Sequence, residues 1–152
     1  MLLTGTFPRA MDEKLRIAIP KQFRSVLAGT SGAFVYVAPG MDGCLAIYSE
    51  SAFQTLADRL AHVSPAAQDA RAYGRLFYAR AQAVELDSQG RVRVPGELAE
   101  WASLSKEAVL VGVSDHLELW DRADWITHSE QLQARRAEIA LRAKQVKPPA
   151  AT

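Results

Sequence analysis

DEKLRIAIP at residues 12–20 and DSQGRVRVP at residues 87–95 place an acid, an arginine and a proline at the same spacing. In each motif the aspartate favours a turn, because its carboxylate accepts hydrogen bonds from backbone N–H groups two or more residues further on. Apolar β-forming residues then indicate a short strand, and the closing proline suits the first turn of a helix. Each motif therefore predicts a turn, a strand and a helix, so the fold contains this unit twice.

The similarity continues beyond the two motifs. FVYV at 34–37 aligns with VLVG at 109–112 at the same separation of 75 residues, and CLAIY at 44–48 aligns with HLELW at 116–120 at a separation of 72. A repeated order of parts is the signature of an internal duplication. We therefore predict two related halves, the second shortened by three residues in the turn PGMDG at 39–43.

Helical patterns follow the strands in both halves. KQFRSVLAG (21–29) and GELAEWASL (96–104) follow the prolines, and Ser49 and Asp121 are suitable N-caps for two later helices. Residues 64–81 open with Ser-Pro and carry apolar residues at helical spacing, which predicts a helix between the halves.

These patterns divide the chain into successive parts. We predict a first half at 1–63, a connecting helix at 64–78, a second half at 79–128, a C-terminal helix at 129–146 and a flexible tail at 147–152. The helix pattern that leads into this tail begins at Asp121 and ends near Lys144. A half of about 70 residues buries too little surface to be stable alone, so we expect the two halves to share one core.

The composition is that of an ordinary globular protein, with 152 residues, 49% of them hydrophobic, and a net charge of +1. The first residues do not have the pattern of a signal peptide, and no apolar run approaches about 18 residues, so we expect a cytoplasmic protein without a membrane segment. The single cysteine, Cys44, suits a reducing compartment and is expected to be buried. The three histidines are dispersed, and we find no catalytic or phosphate-binding motif and no pocket signature. We therefore expect no enzyme activity, metal, cofactor or small-molecule ligand.

Basic residues cluster around the two motifs. Those of the first motif and its flanks are Arg9, Lys14, Arg16, Lys21 and Arg24. In the second motif Arg91 and Arg93 alternate with valines, so both should point to the same outer face of a strand. A two-stranded ribbon fits the DNA major groove, where arginine bonds both acceptors of guanine, and other cations meet phosphates. The alternative is a solvated surface with Asp–Arg ion pairs worth about 0–1 kcal/mol each. Repetition of the motif favours DNA.

With these residues in place, the chain resembles the MraZ family of bacterial transcriptional regulators. The resemblance rests on the pattern DxKGRxxxP occurring twice, each time followed by apolar strands and an LxxY/W element, and it spans residues 3–142. It implies an α+β fold, mainly β with helices: two tandem AbrB-like (SpoVT-AbrB) halves that form a swapped-hairpin β-barrel, with decorating helices and a long C-terminal helix. It also implies a ring of subunits, associated with the nucleoid, that binds short direct repeats of double-stranded DNA. These repeats lie in the promoter of the operon for cell division and cell-wall synthesis, which includes the regulator's own gene.

The resemblance also implies roles for individual residues. The family's DNA-contacting DxxxR element corresponds here to Asp12 with Arg16 and to Asp87 with Arg91. The expected DNA contacts are Lys14, Arg16, Arg91, Arg93, Arg9 and Lys21, and the expected structural residues of the motif are Asp12, Asp87, Gly90, Pro20 and Pro95. We expect the first motif to make the stronger contact, because its flanks are more basic.

Two positions depart from the family pattern. Leu15 replaces the glycine of the first motif, and Gln89 replaces the lysine of the second. A positive φ at Leu15 would cost about 1 kcal/mol. Either the first loop follows a different backbone path, or Leu15 makes an apolar contact that offsets the strain.

A different class of function uses the same residues. The chain could be a ring-forming scaffold or an antitoxin-like module that binds an acidic protein through the two motifs, with no direct role on DNA. The basic run at 135–147 favours a solvated helix end over a second nucleic-acid site, because cations near a helix C-terminus are stabilising.

Overall fold

The computed structural model describes residues 1–29, 34–62 and 68–145. Within these residues the chain forms eight strands and six helices. The strands are β1 (Thr6–Ala10), β2 (Arg16–Ala18), β3 (Phe34–Pro39), β4 (Leu45–Ser49), β5 (Gln82–Glu85), β6 (Arg91–Arg93), β7 (Glu107–Gly112) and β8 (Leu117–Asp121). The helices are α1 (Lys21–Ala28), α2 (Glu50–Ala61), α3 (Gln68–Tyr78), α4 (Gly96–Trp101), α5 (Arg122–Ala134) and α6 (Arg136–Gln145).

The two halves exchange strands. Six strands form one antiparallel sheet in the order β1-β7-β8-β4-β3-β5, and β2 pairs with β6 in a separate antiparallel ribbon. The α+β class and the exchange between halves are confirmed. The described strands do not form the closed barrel that the resemblance implied, because β1 and β5 remain the two edges of the sheet while β2 and β6 pair with each other.

An approximate two-fold axis relates the two halves. Ile17 lies directly opposite Val92 in the ribbon, and these residues occupy equivalent positions of the repeat, 75 residues apart. Ala46 lies opposite Glu118 in the sheet, and these residues are equivalent at the separation of 72. A residue faces its own equivalent only beside a two-fold axis, so the axis passes close to both pairs.

The register of β3 and β7 corrects one part of the sequence alignment. Both strands have six residues, and they begin 73 residues apart, whereas the aligned apolar residues predicted 75. Two of the three missing residues are therefore lost before β7, and one is lost in the turn that precedes β8. The pairing of β3 with β5 and of β7 with β1 fixes the equivalent positions. A run of apolar residues does not distinguish neighbouring registers.

One apolar core joins the two halves, as expected. Ile17, Val92, Leu45 and Leu119 are fully buried in the same cluster, although they come from β2, β6, β4 and β8. The other face of the sheet carries a smaller aromatic cluster, in which the ring of Phe53 stacks on other aromatic residues. The ring centroid of Phe53 lies 4.3 Å from that of Tyr36 and 5.7 Å from that of Phe77. The sheet is thus covered on both faces.

The motif prolines stand at the starts of the short helices. Pro20 and Pro95 occupy the N-cap positions of α1 and α4, so both helices begin directly after the proline, at the residue where they were predicted to begin. Gly29 follows α1 with a φ of 65°, a conformation that glycine adopts without strain. The helix therefore ends where the sequence indicated.

The two predicted N-caps behave differently. The Ser49 side chain accepts a hydrogen bond from the Ala52 N–H at 3.1 Å and caps α2, as expected. Asp121 Oδ1 instead accepts hydrogen bonds from Ser105 Oγ at 2.7 Å and from the Ser105 N–H at 3.1 Å. The carboxylate thereby holds the loop that enters β7.

The chain forms two compact units, Met1–Arg122 and Ala123–Thr152. In the second unit, the expected C-terminal helix is present as two segments, α5 and α6, with Arg135 between them. The predicted tail at 147–152 and the first residues of the predicted connecting helix lie outside the described residues. Where the structure describes the chain, none of its helices has the length and apolar character needed to span a membrane.

Candidate nucleic-acid interface

The first motif folds into a loop (the first loop, residues 12–16) closed by the carboxylate of Asp12. Asp12 Oδ1 accepts hydrogen bonds from the backbone N–H groups of Lys14 and Arg16, each at 2.9 Å. Asp12 Oδ2 accepts a hydrogen bond from Arg16 Nε at 2.7 Å. The Asp12 N–H donates to the Arg16 carbonyl at 3.1 Å. One acid therefore fixes both the loop and the direction of its arginine.

The second motif repeats this arrangement in the second loop (residues 87–91). Asp87 Oδ1 accepts from the N–H groups of Gln89 and Arg91, each at 2.9 Å, and Asp87 Oδ2 accepts from Arg91 Nε at 2.8 Å. The Asp87 N–H donates to the Arg91 carbonyl at 2.9 Å. The bonds connect residues at most four positions apart, which is why the short motif suffices to specify the loop.

The hydrogen bonds that close these loops stabilise the ionised carboxylates. The N–H groups of Arg16 and Arg91 are the largest cause that holds the pKa of Asp12 and of Asp87, respectively, below the ordinary value of 3.8. Both acids are therefore charged at neutral pH, where each holds its arginine by a charge-assisted hydrogen bond.

Leu15 adopts the same backbone conformation as Gly90. The φ angles are 61° and 75°, so the first loop does not follow a different path. Leu15 is half-buried and packs against the main core cluster. Full burial of a leucine contributes about 1.5–3 kcal/mol, so a partial contact can offset strain of about 1 kcal/mol.

The two loops lie side by side across the two-fold axis. The Ile19 N–H donates to the Gly90 carbonyl at 3.0 Å, and the Val94 N–H donates to the Leu15 carbonyl at 2.8 Å. These two bonds are equivalent in the repeat, so each half holds the loop of the other. Arg91 Nη1 also approaches Asp12 Oδ2 to 4.0 Å, which couples the charges of the two loops.

The outer face of the ribbon carries three arginines, which we call the arginine face (Arg16, Arg91 and Arg93). Arg16 lies directly opposite Arg93, and Arg91 lies opposite Ala18, while Ile17 and Val92 point inward and are buried. Arg91 and Arg93 share one face, as the alternation predicted. The side chains of Arg16 and Arg91 remain 31% and 29% exposed, so their guanidinium groups reach the surface while their Nε atoms are held.

The other predicted contact residues take different places. Lys14 is exposed on the first loop, Lys21 is exposed at the start of α1, and Gln89 is exposed at the position equivalent to Lys14. Arg9 donates from Nε to the Ala18 carbonyl at 2.9 Å and from Nη1 to the Pro8 carbonyl at 3.0 Å. Part of its guanidinium therefore ties β1 to β2 of the ribbon.

Arg24 is a basic residue beside the second loop that the sequence analysis did not include among the expected contacts. It follows the first motif in sequence, but its side chain lies on Gly90 of the second loop. The contact runs between the halves, so sequence proximity could not show it. The sequence feature that bears on this contact is the repeat, in which Ala99 is the residue equivalent to Arg24.

Two titratable groups outside the loops, the thiol of Cys44 and the hydroxyl of Tyr48, belong to buried residues. Cys44 is buried, its Sγ donates to the Met41 carbonyl at 3.1 Å, and burial is the main cause that raises the pKa of its thiol well above the ordinary range. Burial also raises the pKa of Tyr48 to about 12. Among the residues that the structure describes, no three His, Cys, Asp or Glu side chains are grouped as metal ligands would be.

A comparison with protein families identifies the family to which the chain belongs. The family model described as "MraZ protein, putative antitoxin-like" matches the chain twice, at residues 2–76 and 77–147. The chain belongs to the MraZ family. Since one copy of the model matches each half, the duplication predicted from the two motifs is confirmed.

Relatives in this family share most of their length with the chain. A protein of Thermomicrobium roseum is 38% identical over 141 residues, which cover 93% of this chain and 96% of that relative. A protein of Lactiplantibacillus plantarum is 46% identical over 121 residues, which cover 80% and 83%. A protein of Alkaliphilus oremlandii is 37% identical over 139 residues, which cover 91% and 94%. Each of the three is named "Transcriptional regulator MraZ".

Proposed function

We propose that this protein is a transcriptional regulator that binds double-stranded DNA through its arginine face. The observation that carries the proposal is the placement of Arg16 directly opposite Arg93, with Arg91 on the same face. Like charges opposite each other destabilise paired strands. A short ribbon that keeps three arginines on one face is therefore suited to an anionic partner, and the names of the relatives support a regulatory role.

The ribbon has dimensions that suit the major groove of DNA. Paired strands lie about 4.8 Å apart, and the major groove is about 12 Å wide and admits a two-stranded ribbon. Asp12 and Asp87 hold the Nε atoms of Arg16 and Arg91. This fixes the plane of each guanidinium, whose Nη groups are donors suited to guanine O6 and N7. Lys14 and Lys21, exposed beside the ribbon, are placed to meet phosphates.

We further propose a ring of chains that binds short direct repeats. The proposed target is the promoter of the operon for cell division and cell-wall synthesis, which includes the protein's own gene, and the proposed location is the nucleoid. The resemblance and the net charge of +1 support this proposal. A nearly neutral chain gains affinity when several weak contacts are linked, because each bound subunit raises the effective concentration of the others. Loss of one repeat should then weaken binding steeply, whereas equal affinity for one repeat and for several would exclude the multivalent mechanism.

A gel-shift titration with the DNA upstream of the gene tests the proposal. We expect a shift that weakens with added salt and is lost in Arg16→Ala and Arg91→Ala. Arg59→Ala is the matched control, because Arg59 is exposed on α2, which packs against β3 and β4. Absence of a shift for the unmutated protein at low salt would exclude the DNA function. A shift that neither arginine substitution alters would exclude the assigned residues.

The second candidate is an antitoxin-like module or ring-forming scaffold that binds an acidic protein through the same arginines. The matching family is described as antitoxin-like, which favours this candidate. This candidate predicts no shift of DNA at low salt.

A further inference from the structure

Gly90 of the second loop lies directly beneath the side chain of Arg24. A Cβ atom at position 90 would collide with Arg24 Nε and would lie 2.5 Å from both Cδ and Cζ. The requirement for glycine at this position is therefore twofold. Its φ of 75° favours glycine, and a Cβ at this position would force the flexible end of the Arg24 side chain to move.

Arg24 also belongs to the bridge that connects the two halves. Its Nε donates to the Ile19 carbonyl at 3.1 Å, and the Ile19 N–H donates to the Gly90 carbonyl at 3.0 Å. The side chain thus spans from α1 of the first half to the second loop. It holds the backbone of Ile19 and covers the residue to which Ile19 is bonded.

The equivalent contact in the other direction exchanges the sizes of the two residues. Ala99 stands at the position equivalent to Arg24, and Leu15 stands at the position equivalent to Gly90. Ala99 is buried in the core cluster against which Leu15 packs. The second loop therefore combines a small loop residue with a large helix residue, and the first loop combines a large loop residue with a small helix residue.

The two loops also differ in charge, because Glu13 and Lys14 of the first correspond to the neutral Ser88 and Gln89 of the second. The first loop carries Lys14, whereas the second carries the neutral Gln89 at the equivalent position. Arg24 is half-buried and places its guanidinium over the second loop. We propose that Arg24 positions the second loop and supplies there the phosphate contact that Gln89 cannot make. This inference rests on the proposed DNA function.

The salt dependence of DNA binding tests the charge of Arg24. For the full-length chain and a duplex carrying the upstream repeats, we expect Arg24→Gln to reduce the slope of log K against log salt by about one for each bound chain. Arg24→Lys should retain the slope, and Arg59→Gln, which removes the same charge from α2, should also leave it unchanged. A slope for Arg24→Gln equal to that of the unmutated protein would overturn the phosphate contact. Failure of the unmutated protein to bind would instead refute the DNA function on which the inference rests.

A pair of substitutions tests the positioning role without DNA. Gly90→Ala should lower the Tm in both backgrounds, because the positive φ strains any residue with a Cβ, and the loss should be smaller in the Arg24→Ala background, where no side chain has to move away from position 90. If Gly90→Ala alone does not fold, we expect the double variant to fold. Equal losses of Tm in both backgrounds, or a double variant that also does not fold, would overturn the positioning role.

Discussion

Arg16 and Arg93 face each other across the β2–β6 ribbon, and Asp12 bonds Arg16 whereas the register places no acid opposite Arg93. Replacing Arg93 with glutamine removes the repulsion of this pair. Like charges directly opposite destabilise paired strands, and cross-strand pairs are worth at most about 1 kcal/mol. We therefore expect Arg93→Gln to raise the free energy of unfolding by less than about 1 kcal/mol at low salt, because Asp12 already offsets part of the charge of Arg16, while weakening DNA binding. Denaturant titrations at low and high salt check this, because screening should abolish the gain in stability. A variant that is less stable at low salt would contradict the repulsion.

The closed loops should make stability depend on acid pH. The folded-state pKa values of Asp12 and Asp87 lie below the ordinary value of 3.8, chiefly because backbone N–H groups bond the ionised form. A depressed pKa contributes stability that is present above the unfolded pKa and is lost as the pH falls through the folded pKa. Asp12→Asn and Asp87→Asn should therefore be less stable than the unmutated chain from pH 5 to 8. The difference in unfolding midpoint should narrow below about pH 4. A difference that stays constant down to pH 2 would show that ionisation of the two acids does not close the loops.

Leu15 should reverse the usual stability order of alanine and glycine variants. Both Leu15→Ala and Leu15→Gly lose the apolar contact, but only glycine relieves the positive φ. We expect both variants to be less stable than the unmutated chain, with Leu15→Ala the less stable of the two. Glu97, an exposed residue in the first turn of α4, supplies the control, since glycine there should be less stable than alanine by about 1 kcal/mol. Denaturant unfolding of the four variants gives both orders. A lower free energy of unfolding for Leu15→Gly than for Leu15→Ala would indicate that the positive φ of residue 15 carries no strain.

The parts of the structure that the sequence predicted are those that depend on local bonds. Asp12 and Arg16 bond each other within one loop, so the motif alone specifies their arrangement. Repetition of the motif at residues 87–95 then indicated a second loop. The small size of each half indicated that the two halves share one core.

Contacts between distant parts of the chain were harder to predict. The separation of 73 residues between β3 and β7 depends on pairing with β5 and β1, and the placement of Arg24 over Gly90 depends on the two-fold axis. The sheet likewise remains open because β2 pairs with β6 and not with an edge strand of the sheet. Apolar patterns give the strands but not their neighbours, because many pairings satisfy the same pattern.

Cys44 should be unreactive in the folded protein. Its side chain is buried, and burial raises the pKa of the thiol far above the ordinary value, so little thiolate is available. We expect no alkylation by iodoacetamide at pH 8 under native conditions and complete alkylation in denaturant, as read by intact mass. Rapid modification of the native chain would contradict the buried position of the sulfur.

The two-fold axis predicts that the contact between Arg24 and Gly90 can be rebuilt on the other side of the ribbon. Ala99→Arg alone should overpack the core and destabilise the chain by about 1–3 kcal/mol, because Ala99 is buried in the core cluster against which Leu15 packs. Leu15→Gly opens space at the equivalent of Gly90, so the double variant should be more stable than the sum of the single changes predicts. Residues in contact show coupling energies of about 0.5–3 kcal/mol.

Unfolding free energies of the two single variants and the double variant give this coupling directly. Ala46→Arg with Leu15→Gly is the control, because Ala46 is buried in the aromatic cluster on the other face of the sheet and should not couple to Leu15. Additive effects of Ala99→Arg and Leu15→Gly would mean that the two loops do not use equivalent contacts. A coupling confined to the Ala99 pair would show that the large and small residues were exchanged within one symmetric arrangement, and that the leucine of the first loop is compensated by the alanine opposite it.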